Sequence, residues 1–286
     1  MPLIDHLGAT TLCYPNRNFD GLKRALRGIS DAGFRNVGIT SIAGFGEHLM
    51  PEKQTETEIE SVMEWLGEYG LTCSCIVGPH CLNSDGGVAT FKRRIDLALT
   101  LGTDLVNGGT FWPFVGKAPY GRTEWREATE RFYYRLGQAA EYAADRGVRI
   151  AIETHAGLVH TGEQCVPLLA RVDTDVVGIV YHTGSVFQHD PHGRPEEDIR
   201  HVIGGLFGVH VEDVDAENAR SGPRLGEGKV AFPALFQVLT EAGFTGPVCV
   251  MGVAPPTVHE ADAALKNSYN YLCSILQSTD LKGQAI

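Results

Sequence analysis

The segment Asp145-Arg-Gly-Val-Arg-Ile-Ala-Ile-Glu-Thr-His155 joins the end of a helical pattern to a short β-branched run. Upstream of it, Trp125, Ala128, Phe132, Leu136, Ala139 and Ala143 recur at steps of three and four. That spacing puts them on one face of a helix over 123–146, with Thr123 as its N-cap. Gly147 then stands where a helix must end, because glycine adopts the left-handed backbone after the last turn without a Cβ penalty. Ile150 to Ile152 begin the strand. The same punctuation occurs four more times. Asp31-Ala-Gly-Phe34 precedes Val37 to Ile39, and Glu68-Tyr-Gly-Leu71 precedes Cys73 to Val77. Leu101-Gly-Thr103 precedes Leu105 and Val106, and Glu241-Ala-Gly-Phe244 precedes Val248 to Val250.

Further strands are read near Leu7 to Leu12, Val176 to Tyr181 and Leu206 to Val211, which makes eight, each followed by a helical pattern. Eight βα units in 286 residues suit a closed barrel, for which about 250 residues is typical. The chain is therefore expected to be α/β, a single (β/α)8 TIM barrel over 1–286. No Pro-, Ser- or Gly-rich linker divides it. An open doubly wound sheet would want a glycine-rich phosphate loop after the first strand, and Thr10-Thr-Leu-Cys-Tyr-Pro-Asn16 is not one.

A hydrophobic content of 43% and a mean hydropathy of −0.08 exclude a disordered chain, and no apolar run approaches the roughly 20 residues that cross a bilayer. With 24 Lys and Arg against 35 Asp and Glu, the net charge is −11. Such a field repels phosphate backbones and anionic lipid, so neither nucleic acid nor membrane is an expected partner. Met1 to Thr10 carries Asp5 and His6 rather than a basic stretch followed by an apolar one; no signal peptide is visible, and a cytoplasmic location is expected. The seven cysteines read as buried thiols, Cys73 and Cys75 as core, rather than as a disulfide framework.

In a barrel of this kind the chemistry sits where strands meet the loops that follow them. Strand five ends Ala151-Ile-Glu-Thr-His155, strand six Val180-Tyr-His-Thr-Gly184, and strand seven Val209-His-Val-Glu-Asp213. Glu153, His182 and His210 thus occupy three successive strand ends, each about 30 residues, or one βα unit, from the next. Neighbouring strands lie about 4.8 Å apart, so the three side chains can converge. Two imidazoles and a carboxylate form a borderline-hard donor set for a divalent Mn, Co, Fe or Zn ion, with positions left for substrate oxygens. Singly, any of these histidines reads as a hydrogen-bonded rim residue; their joint spacing favours the metal.

The chain resembles the sugar phosphate isomerase/epimerase superfamily, the xylose isomerase-like TIM barrels that include endonuclease IV, inosose dehydratase, hydroxypyruvate isomerase, ketose 3-epimerases and C-glycoside deglycosidase subunits. Ile152-Glu-Thr-His155 is similar to that family's strand-five Glu-x-His and His210-Val-Glu-Asp213 to its His-x-Lys-Asp. Arg224-Leu-Gly-Glu-Gly-Lys-Val230 is similar to its Gly-x-Gly loop. Two positions depart from the pattern. His182-Thr-Gly-Ser185 replaces a strand-six Asp-x-x-His, and Met251 replaces a strand-eight Glu that binds metal and often moves protons.

The resemblance implies a divalent metal on Glu153, His182 and His210 and a small-molecule carbohydrate, a keto-sugar or polyol, isomerised through an enediolate. A lyase of the inosose dehydratase or C-glycoside deglycosidase kind is the alternative, as is a non-catalytic barrel subunit. Abasic-site endonuclease activity conflicts with the negative charge and the missing Glu. Beside Glu153, the candidates for proton transfer are His155, Asp213 and His80; His155 can instead orient Glu153. Glu212 is read as a contact between barrel and helix. His48, Arg224 and Ser185 are expected at the substrate, as is Trp112 among the aromatics Phe111, Phe114 and Tyr120. Those aromatics can equally seal a subunit contact in a homo-oligomer or hetero-complex.

Overall fold

The computed structural model describes residues 2–79, 82–110, 122–155, 157–215, 224–252 and 255–283. Eight strands run in sequence order: β1 (Leu7–Thr10), β2 (Asn36–Thr40), β3 (Thr72–Val77), β4 (Leu105–Gly108), β5 (Arg149–Glu153), β6 (Val177–His182), β7 (Leu206–Val211) and β8 (Val248–Val250). Each pairs in parallel with the next, and β8 returns to β1 through Leu7↔Val248 to close the barrel. No edge strand is left to manage. The doubly wound alternative is thereby excluded.

The helices of the described residues are α1 (Phe19–Ala32), α2 (Glu56–Tyr69), α3 (Gly87–Thr100), α4 (Arg122–Ala144), α5 (Gly162–Leu169), α6 (Val186–His189), α7 (Pro195–Asp198), α8 (Phe232–Glu241) and α9 (Val258–Gly283). The five glycines that punctuate the sequence, Gly33, Gly70, Gly102, Gly147 and Gly243, all have φ between 62° and 113°, in the left-handed region that ends a helix. Helix α4 begins at Arg122, so Thr123, expected before the helix, lies within its first turn. The predicted stripe is correct: Ala128, Phe132, Leu136, Ala139 and Ala143 are all fully buried. After β6 the expected helix is broken into α6, α7 and a 3-10 stretch over Ile199–Gly205. No described helix is long and apolar enough to cross a membrane.

The apolar side chains form two layers. The larger lies between strands and helices, while Cys75, Val77, Leu105, Ala151 and Val180 fill the barrel interior. Strand alternation decides which residues face inward. It follows that Asn107, Glu153 and His182, two residues beyond Leu105, Ala151 and Val180, also face inward at the C-terminal end of the barrel. Cys73 belongs to the outer layer and Cys75 to the inner one, because β3 carries an extra residue, Ser74: Val37 pairs with Cys73 but the next residue, Gly38, pairs with Cys75.

Arg94 of α3 is fully buried in the outer layer, which is costly for a cation unless every donor finds a partner. Its guanidinium donates to the Ser41 carbonyl at 3.2 Å and to Glu52 Oε1 at 2.9 Å, tying α3 to the segment after β2. Glu52 remains partly exposed, so the penalty for breaking the pair falls below the 3–5 kcal/mol of a fully buried one. Arg94→Met is expected to lower stability by about 2–3 kcal/mol, read from the urea midpoint; an unchanged midpoint would show that the pair contributes nothing net.

Candidate active site

Register places the predicted trio together. His182 on β6 pairs with His210 on β7, and Glu153 ends β5. Glu153, His182 and His210 are each no more than 2% exposed. Nδ1 of His210 donates to Oε1 of Glu153 at 2.7 Å, and Nδ2 of Asn107 donates to Nε2 of His210 at 3.1 Å. Glu153 thus has its counter-group in a dry interior. Burial alone would raise its pKa. The His210 field and hydrogen bond, with the fields of His155 and His182, hold it well below the usual carboxylate range.

His182 forms a second pair. Its Nε2 donates to Oε2 of Glu212 at 3.1 Å, while its Nδ1 is buried with no hydrogen-bond partner. Burial opposes a charge on this ring, but the hydrogen bond and field of Glu212 outweigh it and raise the pKa above its ordinary value. The His155 ring is half-buried, 5.0 Å from that of His182 between centroids, and the His210 ring stands edge-on to His182 at 6.4 Å.

Glu212 is therefore a correction. It does not brace a helix; it enters the site, because residues 210 and 212 share one side of β7 and its continuation. Asn107, Thr154 and Thr183 also escaped the sequence reading. Oγ1 of Thr154 accepts from the His182 amide at 2.8 Å. The Thr183 hydroxyl donates to the Glu212 carbonyl at 2.6 Å and accepts from the Glu212 amide at 2.9 Å.

The structure assembles the donors differently from the expected convergence on one point. In a water-poor interior each carboxylate takes the nearest imidazole N–H, so Glu153 and Glu212 make two separate hydrogen-bonded pairs. Among the described residues, no group of three or more His, Cys, Asp or Glu side chains is arranged to hold a metal ion. In chemistry the set does fit a divalent cation: two imidazoles and two carboxylates, with the Nδ1 lone pair of His182 unshared.

Asp213 points to the other side of the chain. Its Oδ1 accepts from the amides of Val214 and Val230, and its Oδ2 from those of Gly226 and Gly228, at 2.9–3.1 Å. A Cβ on Gly228 would lie 2.3 Å from Oδ1 of Asp213, so the loop closes on the carboxylate only because this residue is glycine. Arg224 is exposed in that loop. Ser185 is fully buried, and its hydroxyl lies within hydrogen-bonding distance of the carbonyls of His160 and His182 and of Oγ1 of Thr154. His48 is also fully buried, and burial pushes its imidazole down to about 4. His80, Trp112, Phe111, Phe114 and Tyr120 lie outside the described residues.

Met251 follows β8, with its amide donating to the Val211 carbonyl at 2.9 Å. It is half-buried and packs against the inner apolar layer. Its side chain therefore faces the barrel interior, as the strand-eight alignment requires, but brings no charge.

A family model described as a xylose isomerase-like TIM barrel matches residues 26–274. No curated protein matches the sequence. An L-ribulose 3-epimerase structure superposes with a TM-score of 0.77 at 20% identity, covering 97% of this chain and 96% of that one. D-allulose 3-epimerase from Methylomonas sp. gives 0.75 at 19% identity over 94% and 97%. A xylose isomerase-like TIM barrel protein from Mycobacterium smegmatis, solved in complex with magnesium, gives 0.75 at 20% over 96% and 97%. These identities establish a shared fold.

Asp213→Asn replaces one acceptor oxygen with an amide donor aimed at two backbone N–H groups. We expect a loss of about 2–4 kcal/mol and faster hydrogen exchange at Gly226, Gly228 and Val230. Unchanged protection of those amides would show that the carboxylate does not hold the loop.

Proposed function

The chain belongs to the xylose isomerase-like TIM barrel family, and from that premise we propose that it is a divalent-metal-dependent isomerase or epimerase acting on a keto-sugar or related polyol. The observation that supports this reading is the placement of Glu153, His182 and His210 on three neighbouring strand ends inside the barrel, in two hydrogen-bonded pairs that leave Nδ1 of His182 without a partner. The solved relatives named as ketose 3-epimerases support the substrate class.

Glu153, His182 and His210 would hold the cation, with Mn, Co, Fe or Zn suited to their nitrogens and oxygens. Bound there, it would polarise a substrate carbonyl and neighbouring hydroxyl and stabilise the enediolate formed by loss of the α-proton. Asn107 holds the His210 ring from its Nε2 side, and Thr154 fixes the backbone of His182. The half-buried imidazole of His155, beside His182, is assigned to carry the proton between the substrate carbon and solvent. Asp213 serves the site by closing the 224–230 loop rather than by moving a proton. His48, Arg224 and Trp112 remain assigned to the substrate, and Ser185 to the backbone beneath it.

Met251 supports a second reading. Without a strand-eight carboxylate, proton transfer from one side of the substrate suffices for β-elimination, so a lyase uses the same donors. Incubation of Mn-loaded protein with a ketohexose in D2O separates the two. An isomerase or epimerase yields a sugar of unchanged formula carrying one carbon-bound deuterium, whereas a lyase yields a dehydrated or fragmented product. Glu153→Gln is expected to lower turnover by about 100-fold or more; near-normal turnover would remove Glu153 from the mechanism.

Met251→Glu supplies a carboxylate beside the proposed donors. Tenfold tighter Mn or Co binding adds about 1.4 kcal/mol, which appears as about 3 °C of extra thermal protection at saturating metal. Equal metal-induced shifts in variant and unmodified protein would place residue 251 away from the cation.

A further inference from the structure

A neutral imidazole has one N–H and one lone pair, and whatever the first nitrogen binds decides where the second can act. For His182 that choice is visible. Its Nε2 lies 3.1 Å from Oε2 of Glu212, and an ionised carboxylate only accepts, so the proton sits on Nε2. In the neutral ring the lone pair is then on Nδ1, which is buried and has no hydrogen-bond partner. An unsatisfied polar atom in such a place is costly unless something occupies it.

We propose that Glu212 is a positioning residue that fixes His182 as the Nε2–H tautomer and thereby turns Nδ1 into a donor for the divalent cation. The proposal rests on the metal-dependent reading above and identifies which atom of His182 carries it out.

Two contacts hold the Glu212 backbone in place without help from the His182 side chain. The Thr183 hydroxyl grips both the amide and the carbonyl of Glu212. The Thr183 amide donates to the His210 carbonyl at 3.0 Å, so the end of β6 is pinned to the end of β7. Gly184 lies beside the pair: a Cβ there would stand in ordinary contact, 3.5 Å from Oε2 of Glu212 and 3.6 Å from Cε1 of His182, and would crowd Val214 Cγ1 at 3.0 Å.

The position also places charge where the chain otherwise lacks it. Oε1 of Glu212 is 3.9 Å from where a Gly252 Cβ would stand, so the carboxylate leans over the end of β8 immediately after Met251. A neutral His and a neutral Met bring no negative charge from β6 or β8. Glu212 restores one through its hydrogen bond, which also strengthens an imidazole as a donor.

The test uses the full chain labelled with 15N-histidine and zinc as the added metal. Long-range 1H–15N spectra are expected to show His182 as Nε2–H, and zinc to move its Nδ1 resonance while Nε2 keeps its proton. Glu212→Leu should weaken zinc binding by 10- to 100-fold and release the tautomer. Glu212→Gln, whose carbonyl accepts the same N–H but carries no charge, should retain the tautomer and bind zinc more tightly than Glu212→Leu but less tightly than the unmodified protein.

Zinc bound through Nε2 of His182, or Glu212→Leu binding as tightly as the unmodified protein, would overturn the proposal and leave the metal reading standing. Zinc that perturbs neither His182 nor His210 in the unmodified protein would overturn the metal reading itself. Should Glu212→Leu fail to fold, the unmodified protein and the Gln variant still decide which nitrogen binds.

Discussion

The 2.7 Å hydrogen bond between Nδ1 of His210 and Oε1 of Glu153 is the interaction around which the C-terminal end of the barrel is arranged. An isolated carboxylate in so dry a place would be prohibitively costly and would take up a proton. A partner on a neighbouring strand removes that penalty, and the closed parallel sheet supplies one by register. Asn107 from β4 takes the remaining nitrogen of His210, so the imidazole is held on both sides. His182 and Glu212 repeat the solution one layer outward. Replacing Glu153 or Glu212 takes a hydrogen bond from a buried imidazole.

These pairs explain why the site is both stable and reactive in prospect. Each imidazole and carboxylate satisfies its counterpart, yet every one of them is a ligand type for divalent ions. A cation entering between them would exchange for the Nδ1 proton that His210 gives Glu153, while His182 keeps its Nε2 proton, so binding and proton release are linked. The barrel below contributes rigidity: Cys75, Val77, Leu105, Ala151 and Val180 fill its interior, and the strand ends are free to carry chemistry because the layer beneath them is packed.

Much of this was legible in the residues. The five glycines at helix ends located five strands, because a left-handed residue there has a specific conformational cause. Glu153, His182 and His210 were found from their recurrence at one place in the βα unit. The broken crossover between β6 and β7 was not, since α6 and α7 are single turns too short to show a helical period. Glu212 was missed although strand alternation with His210 pointed inward. The carboxylate of the adjacent Asp213 gathers four backbone amides in the loop. Nothing in one-dimensional spacing reveals that a loop returns to bury it.

The most direct test of the central claim is X-ray absorption at the zinc K edge on protein loaded with one equivalent of zinc. The account predicts a first shell containing two imidazole nitrogens and at least one carboxylate oxygen at about 2.0–2.2 Å, from His182, His210 and Glu153. A shell with one imidazole or none, or zinc that washes off at stoichiometric loading, would contradict it.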